Sequence, residues 1–222
     1  MMGSMSTEDI NTFCRYFDGE INTVAHLQDG LYPRILWVTI LDAMSIAGHP
    51  NLASRNHDRI IKFIETYARW ADRDRTSLPQ IALQLKTSRL TDGKLYEHVT
   101  NEIAKWPDGH ILEPNVDPQF EEIMKLAYCD CERKIIKGCC YKELFYINRN
   151  YLVHEFRDPG NGFRSLSSSD NAFYHQHGSQ WELVFPTALF KNFCSQGLTK
   201  LRAALEQDDR NPYDAYKFGS NW

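Results

Sequence analysis

Apolar residues recur at three- and four-residue intervals through most of the chain, the spacing of amphipathic helices. Ile10, Phe13 and Phe17 mark a first helix over 8–17, with Ser6 or Thr7 as its cap and Glu8 and Asp9 in its first turn. Gly19 is expected to interrupt it, with 21–27 continuing as another helical piece. Residues 32–47 form the most hydrophobic helix. Pro33 suits its first turn, where no amide partner is needed, and Gly48-His49-Pro50 ends it. Ser54 is placed to cap a helix over 55–73, whose inner side carries Ile60, Phe63, Ile64, Tyr67 and Trp70. Its outer side holds Arg55, His57, Arg59, Arg69, Arg73 and Arg75, read as a solvated face or as a rim that meets phosphates. The short apolar run 78–85 fits a helical turn or a buried strand, and 94–105 reads as a modest helix.

Prolines and Gly109 then crowd residues 106–118, a loop or insertion. Asp117 and Pro118 start an element that continues helically through Phe120, Ile123, Ile135 and Ile136 to Gly138. A helix over 139–157 follows. It ends because Asp158 precedes a proline and is pushed out of the helical region, with Gly160 behind it. Residues 159–180 are polar and rich in Gly and Ser, including Ser167-Ser168-Ser169. They hold an extended candidate over 172–177, whose partner strand is 181–185. A last helix opens at Pro186 and runs to about 205, and the tail carries Tyr213, Tyr216, Phe218 and Trp222, which dock loosely. The fold class is mainly α, a helical bundle with a small β-hairpin near the C-terminal third, in one domain over 6–222. Residues 1–5 read as a cloning scar.

Composition narrows the function classes. The 222 residues are 42% hydrophobic and 24% charged, ordinary globular values. A net charge of -4 and a pI near 6.1 argue against a general nucleic-acid binder, so an RNA substrate must be drawn by a local positive cluster. No apolar run approaches the ~20 residues of a membrane span, and no signal peptide is visible, so a cytoplasmic location without membrane contact is expected. None of the six cysteines forms a C-x-x-C pair; they read as reduced and structural rather than as a zinc module.

The densest chemistry lies in residues 148–156. At about 100° per residue, Asn150 and His154 share one helix face, while Tyr141, Phe145, Leu152 and Phe156 gather on another arc as the core stripe. Ile147 and Tyr151 flank His154, so this second face is not simply solvated, and a cleft at an interface is expected. Arg149 lies at the edge and is long enough to reach round. A histidine moves protons near neutral pH, an arginine stabilises charge growing on phosphate oxygens, and an amide positions either group. That set suits RNA cleavage with no metal or cofactor. Asp42 is the lone acid in the most hydrophobic helix. It reads as a structural salt bridge or exposed group, or as the group that orients Arg149 or His154 from a facing helix. Glu155 and Asp158 are alternative partners for Arg149. On the candidate strand, His175 and His177 point to one side, as a metal pair or as a nucleotide-contacting hairpin.

Arg149-Asn150-x-x-x-His154 resembles the catalytic signature of the HEPN superfamily. Leu152-Val153-His154-Glu155-Phe156-Arg157-Asp158-Pro159-Gly160, with Leu31-Tyr32-Pro33-Arg34-Ile35-Leu36-Trp37 and Trp181-Glu182-Leu183-Val184-Phe185-Pro186, is similar to a branch found in plasmid- and integron-borne proteins. The resemblance implies a HEPN-like bundle and a metal-independent endoribonuclease, in a toxin or defence setting, that leaves 2′,3′-cyclic phosphate and 5′-hydroxyl ends. It also implies a homodimer with a composite cleft, and an antitoxin or regulatory protein as partner. Arg149, Asn150 and His154 are then the catalytic set. Asp42, Glu155 and Tyr151 support it, and His175, His177 and Arg157 meet substrate. Loss of Arg149 is expected to abolish cleavage and spare the fold. Some toxin members are silenced by nucleotide transfer to a Tyr two places after the His; Phe156 stands there in this chain. The competing class is a non-catalytic HEPN scaffold that binds a nucleotide or a protein through the same cleft.

Overall fold

The structure, a computed structural model, describes residues 5–28, 30–107, 111–159 and 170–216. Gly160, the serine run 167–169 and the tail aromatics Phe218 and Trp222 lie outside them. The chain is mainly helical, with nine α-helices and a small antiparallel hairpin among the described residues. No described helix is long and apolar enough to cross a membrane. Two compact units divide the chain: Met1–Trp70 with Arg149–Asp158 and Thr187–Trp222, and Ala71–Asn148 with Pro159–Pro186.

The first unit contains α1 (Met5–Ala25), α2 (Leu31–Gly48) and α3 (Asn56–Thr66). Gly19 does not interrupt α1. Nothing lies within 4 Å of a Cβ built there, and one glycine in a long helix costs only about 1 kcal/mol. The predicted helix over 55–73 is shorter at both ends. Arg55, not Ser54, precedes its first residue, and beyond Tyr67 the chain reaches a left-handed Arg69 with φ 53°. Helix α9 (Thr187–Gln207) packs on α1 and α2. Phe13, Trp37, Met44, Phe63, Phe190 and Phe193 fill the core between them. Gly197 lets α9 approach α3 closely, because a Cβ there would stand 2.7 Å from the Phe63 ring. The tail docks through Tyr216, whose hydroxyl donates to the Ala43 carbonyl at 2.7 Å, and through Tyr213, whose ring lies 5.9 Å from Phe13.

The second unit holds α4 (Leu78–Thr87), α5 (Lys94–Ile103), α6 (Phe120–Met124) and α7 (Asp130–Gly138). Ser77 caps α4 by accepting the Gln80 amide at 3.3 Å, which decides the ambiguous apolar run in favour of helix. The element predicted to run unbroken to Gly138 is two helices. Glu132 accepts the Tyr128 amide at 2.6 Å and Cys129 Sγ accepts the Glu132 amide, and these local bonds start α7 afresh. Leu78, Ile81, Leu85, Val99, Ile123 and Ile136 form the core. The strands are β1 (Ile111–Leu112), β2 (Phe173–His177) and β3 (Gln180–Val184), in antiparallel order β1-β2-β3. The two-residue turn of the hairpin begins with Gly178 at φ 58°, a conformation natural to glycine. Helix α8 (Tyr141–Asn150) leads into a π-helical turn, Tyr151–Glu155.

Candidate functional site

The helix predicted over 139–157 changes pitch inside the motif. After Asn150 the backbone goes over to π geometry, and Phe156 N–H bonds to the Tyr151 carbonyl five residues back. Phe156 then turns left-handed with φ 56°, so the helix stops there and not at the proline. In an α-helix Arg149 and His154 would be splayed by about 140°. A π turn instead stacks residues five apart. Arg149 Nη1 accordingly lies 3.3 Å from His154 Nε2 and donates to Asn150 Oδ1 at 3.1 Å. The motif's three polar groups are brought together by the irregular turn, not by the regular helix that spacing suggests.

Asp42 anchors this group from α2. Its Oδ2 accepts from Arg149 Nη2 at 2.7 Å, so the pairing choice between Asp42, Glu155 and Asp158 is decided. Glu155 pairs with Arg157 at 2.7 Å, and Asp158 pairs with Arg34. The π turn packs against α2, and the buried Arg34–Asp158 pair holds the residues after it to the same helix.

Arg59 is the participant that periodicity misassigned. Helical spacing puts it on the outer face, as a solvated group or part of a phosphate-meeting rim, yet it is 3% exposed and bonds to the other oxygen of Asp42 at 2.6 Å. Its Nε donates to Ser45 Oγ at 2.9 Å, its Nη1 to the Ala53 carbonyl at 2.5 Å, and its Nη2 also to Asn56. The signal was present in the sequence. Arg59 precedes Ile60, Phe63, Ile64 and Tyr67 on the same stripe, just as Arg34 precedes Trp37, Val38 and Leu41. A charge on an apolar stripe must find a buried counter-charge.

The charge balance follows. Among the described residues, one carboxylate serves two arginines whose other hydrogen-bond partners are neutral. The cluster of Asp42, Arg59 and Arg149 therefore carries one positive charge in excess, with Arg149 only 4% exposed. His154 is exposed in front of it. Because guanidinium N–H groups only donate, a hydrogen bond here requires Nε2 of His154 as acceptor, which a neutral ring offers when its proton is on Nδ1.

Arg157 lies over the Tyr151 ring, 4.3 Å from its centroid, and is half exposed. His175 and His177 belong to β2 in the second unit, in register with Glu182 and Gln180. No group of three or more His, Cys, Asp or Glu that could hold a metal occurs among the described residues. All six cysteines are free, and burial pushes the Cys139 thiol up to about 12 and Cys140 up to about 11, so neither offers a thiolate at neutral pH.

A second buried polar centre lies at Asp117, which the sequence pattern marks only as the start of an element. Asp117 is 2% exposed. Its Oδ2 accepts from the hydroxyls of Tyr141 at 2.6 Å and Tyr174 at 2.5 Å, and its Oδ1 from the Leu78 amide at 3.1 Å. Burial raises its carboxyl to about 6 despite these donors and the nearby Arg75. The bonds join α4, α8 and β2 within the second unit, which makes Asp117 a structural knot.

No family model matches this chain, and neither the curated proteins nor the solved structures include a match.

Proposed function

We propose that this protein is a metal-independent endoribonuclease of HEPN type, with Arg149, Asn150 and His154 as its reacting groups. The observation that carries the reading is the one-charge positive excess of the Asp42–Arg59–Arg149 cluster, counted among the described residues, beside an exposed imidazole. An anion is favoured at such a place, and a phosphodiester brings one. A phosphate oxygen replaces His154 Nε2 as the acceptor for Arg149 Nη1. The freed Nε2 then removes the ribose 2′-hydroxyl proton, and the resulting alkoxide attacks phosphorus. The 5′-oxygen leaves with a proton, and the products carry 2′,3′-cyclic phosphate and 5′-hydroxyl ends. A single imidazole cannot be base and acid at once, so a homodimer supplies the second His154. An antitoxin or regulatory protein is a further proposed partner, in a toxin or defence role.

The scaffold reading has one observation in its favour. Arg149 is nearly buried and its two terminal nitrogens already have partners, as in a purely structural knot. Cleavage of end-labelled structured and unstructured RNAs in EDTA separates the two. Wild type is compared with His154→Ala, both checked for folding and for dimer mass. Cleavage by wild type alone supports the ribonuclease. Equal cleavage by both, or by neither, sinks the assignment of His154.

A further inference from the structure

Large aromatic rings gain most from leaving water, yet two stand open beside the motif. Tyr32, in the first turn of α2, is 67% exposed, and Phe156, at the end of the π turn, is 54% exposed. They touch edge to face with centroids 5.6 Å apart. The pair is held rather than left over. Phe156 occupies the left-handed region, which a bulky side chain enters only at a cost. The Arg34–Asp158 pair ties the following residues to the helix that carries Tyr32.

We propose that Tyr32 and Phe156 form a stacking platform for one unpaired nucleobase of single-stranded RNA, next to His154; the proposal rests on the ribonuclease reading above. Every base offers a π face, so a ring platform takes bases without regard to sequence. The adjoining phosphate requires positive charge. The excess charge of the Asp42–Arg59–Arg149 cluster supplies it, and Arg157, shared with Glu155, lies one residue beyond Phe156. Alternation of ring and cation matches the alternation of base and phosphate along a single strand. A paired base has no free face, so a duplex is discriminated against.

The test is equilibrium binding of a short, fluorescently labelled 2′-O-methyl oligoadenylate, which cannot be cleaved because its 2′-oxygen is blocked. The same strand annealed to its complement is the control. Wild type is compared with Tyr32→Leu, Phe156→Leu and the ring-retaining Phe156→Tyr, with melting temperature and solution mass measured for each. Each leucine variant is expected to bind the single strand about ten-fold more weakly or worse, at unchanged mass, while Phe156→Tyr keeps wild-type affinity. Equal affinity in the leucine variants overturns the platform, as does equal binding of duplex and single strand. A loss that accompanies a change of mass also overturns it, and assigns the rings to an interface between copies. Cleavage with ring-independent binding sinks the platform and spares the ribonuclease; ring-dependent binding without cleavage does the reverse.

Discussion

Arg149 meets His154 across five residues at 3.3 Å, and the π turn between them is the cause. Because the arginine can only donate, the contact selects the less common Nδ1–H form of the neutral imidazole. A long-range nitrogen–proton NMR spectrum at alkaline pH should therefore show His154 with its proton on Nδ1. Arg149→Met should return the ring to a mixture dominated by Nε2–H. The same tautomer in both proteins would mean that Arg149 does not orient His154.

Asp42 holds two buried arginines, so its removal strands two cations. Asp42→Ala should lower stability by about 3 kcal/mol, at the lower end for buried pairs because the carboxylate is 22% exposed. Urea unfolding measures this. Arg149→Ala should also destabilise, contrary to the expectation that it spares the fold, because its 4% exposure leaves a cavity and an under-paired Asp42. The double variant Asp42→Ala with Arg59→Met should recover part of the loss. If the two losses simply add, Arg59 and Asp42 are not coupled.

Asp117 makes stability depend on pH in the acid range. Its carboxyl sits at about 6 in the fold, above its ordinary 3.8, so the folded state holds a proton that the unfolded chain has released. The contribution is complete below pH 3.8 and is lost as pH rises through about 6. The gap between those values corresponds to roughly 3 kcal/mol. Asp117→Asn has no such titration. The difference in unfolding free energy between wild type and variant should shift by about this amount between pH 4 and 7, in the variant's favour as pH rises. A difference that stays flat would show that the three donors hold Asp117 ionised throughout.

Much of the fold was legible because most of it obeys one period. The mainly helical class and the hairpin follow from apolar spacing and the alternating strand residues, and a lone acid in an apolar run singles out Asp42 without choosing its partner. What escaped depends on local bonds that compete with the period. The Cys129 and Glu132 side chains restart a helix that spacing alone would continue. Within 151–155, spacing predicts α geometry, and no residue type announces the widened turn that joins Arg149 to His154. Arg59 was legible in principle, but an arginine on a helix is assigned to solvent unless its neighbours on the stripe are weighed.

Phe156→Gly separates the two costs carried by that position. Glycine accepts a φ of 56° freely, so the substitution relieves about 1 kcal/mol of backbone strain. It also removes a ring that is 54% exposed and buries little area against Tyr32. Thermal unfolding should therefore be unchanged or shifted slightly upward, whereas Phe156→Leu keeps the strain and should melt slightly lower. Single-strand binding should fall in both. A position that weakens the fold and strengthens binding is one where strain is retained for function. Should Phe156→Gly instead melt well below wild type, the ring is a structural prop for the π turn, and its exposure is incidental.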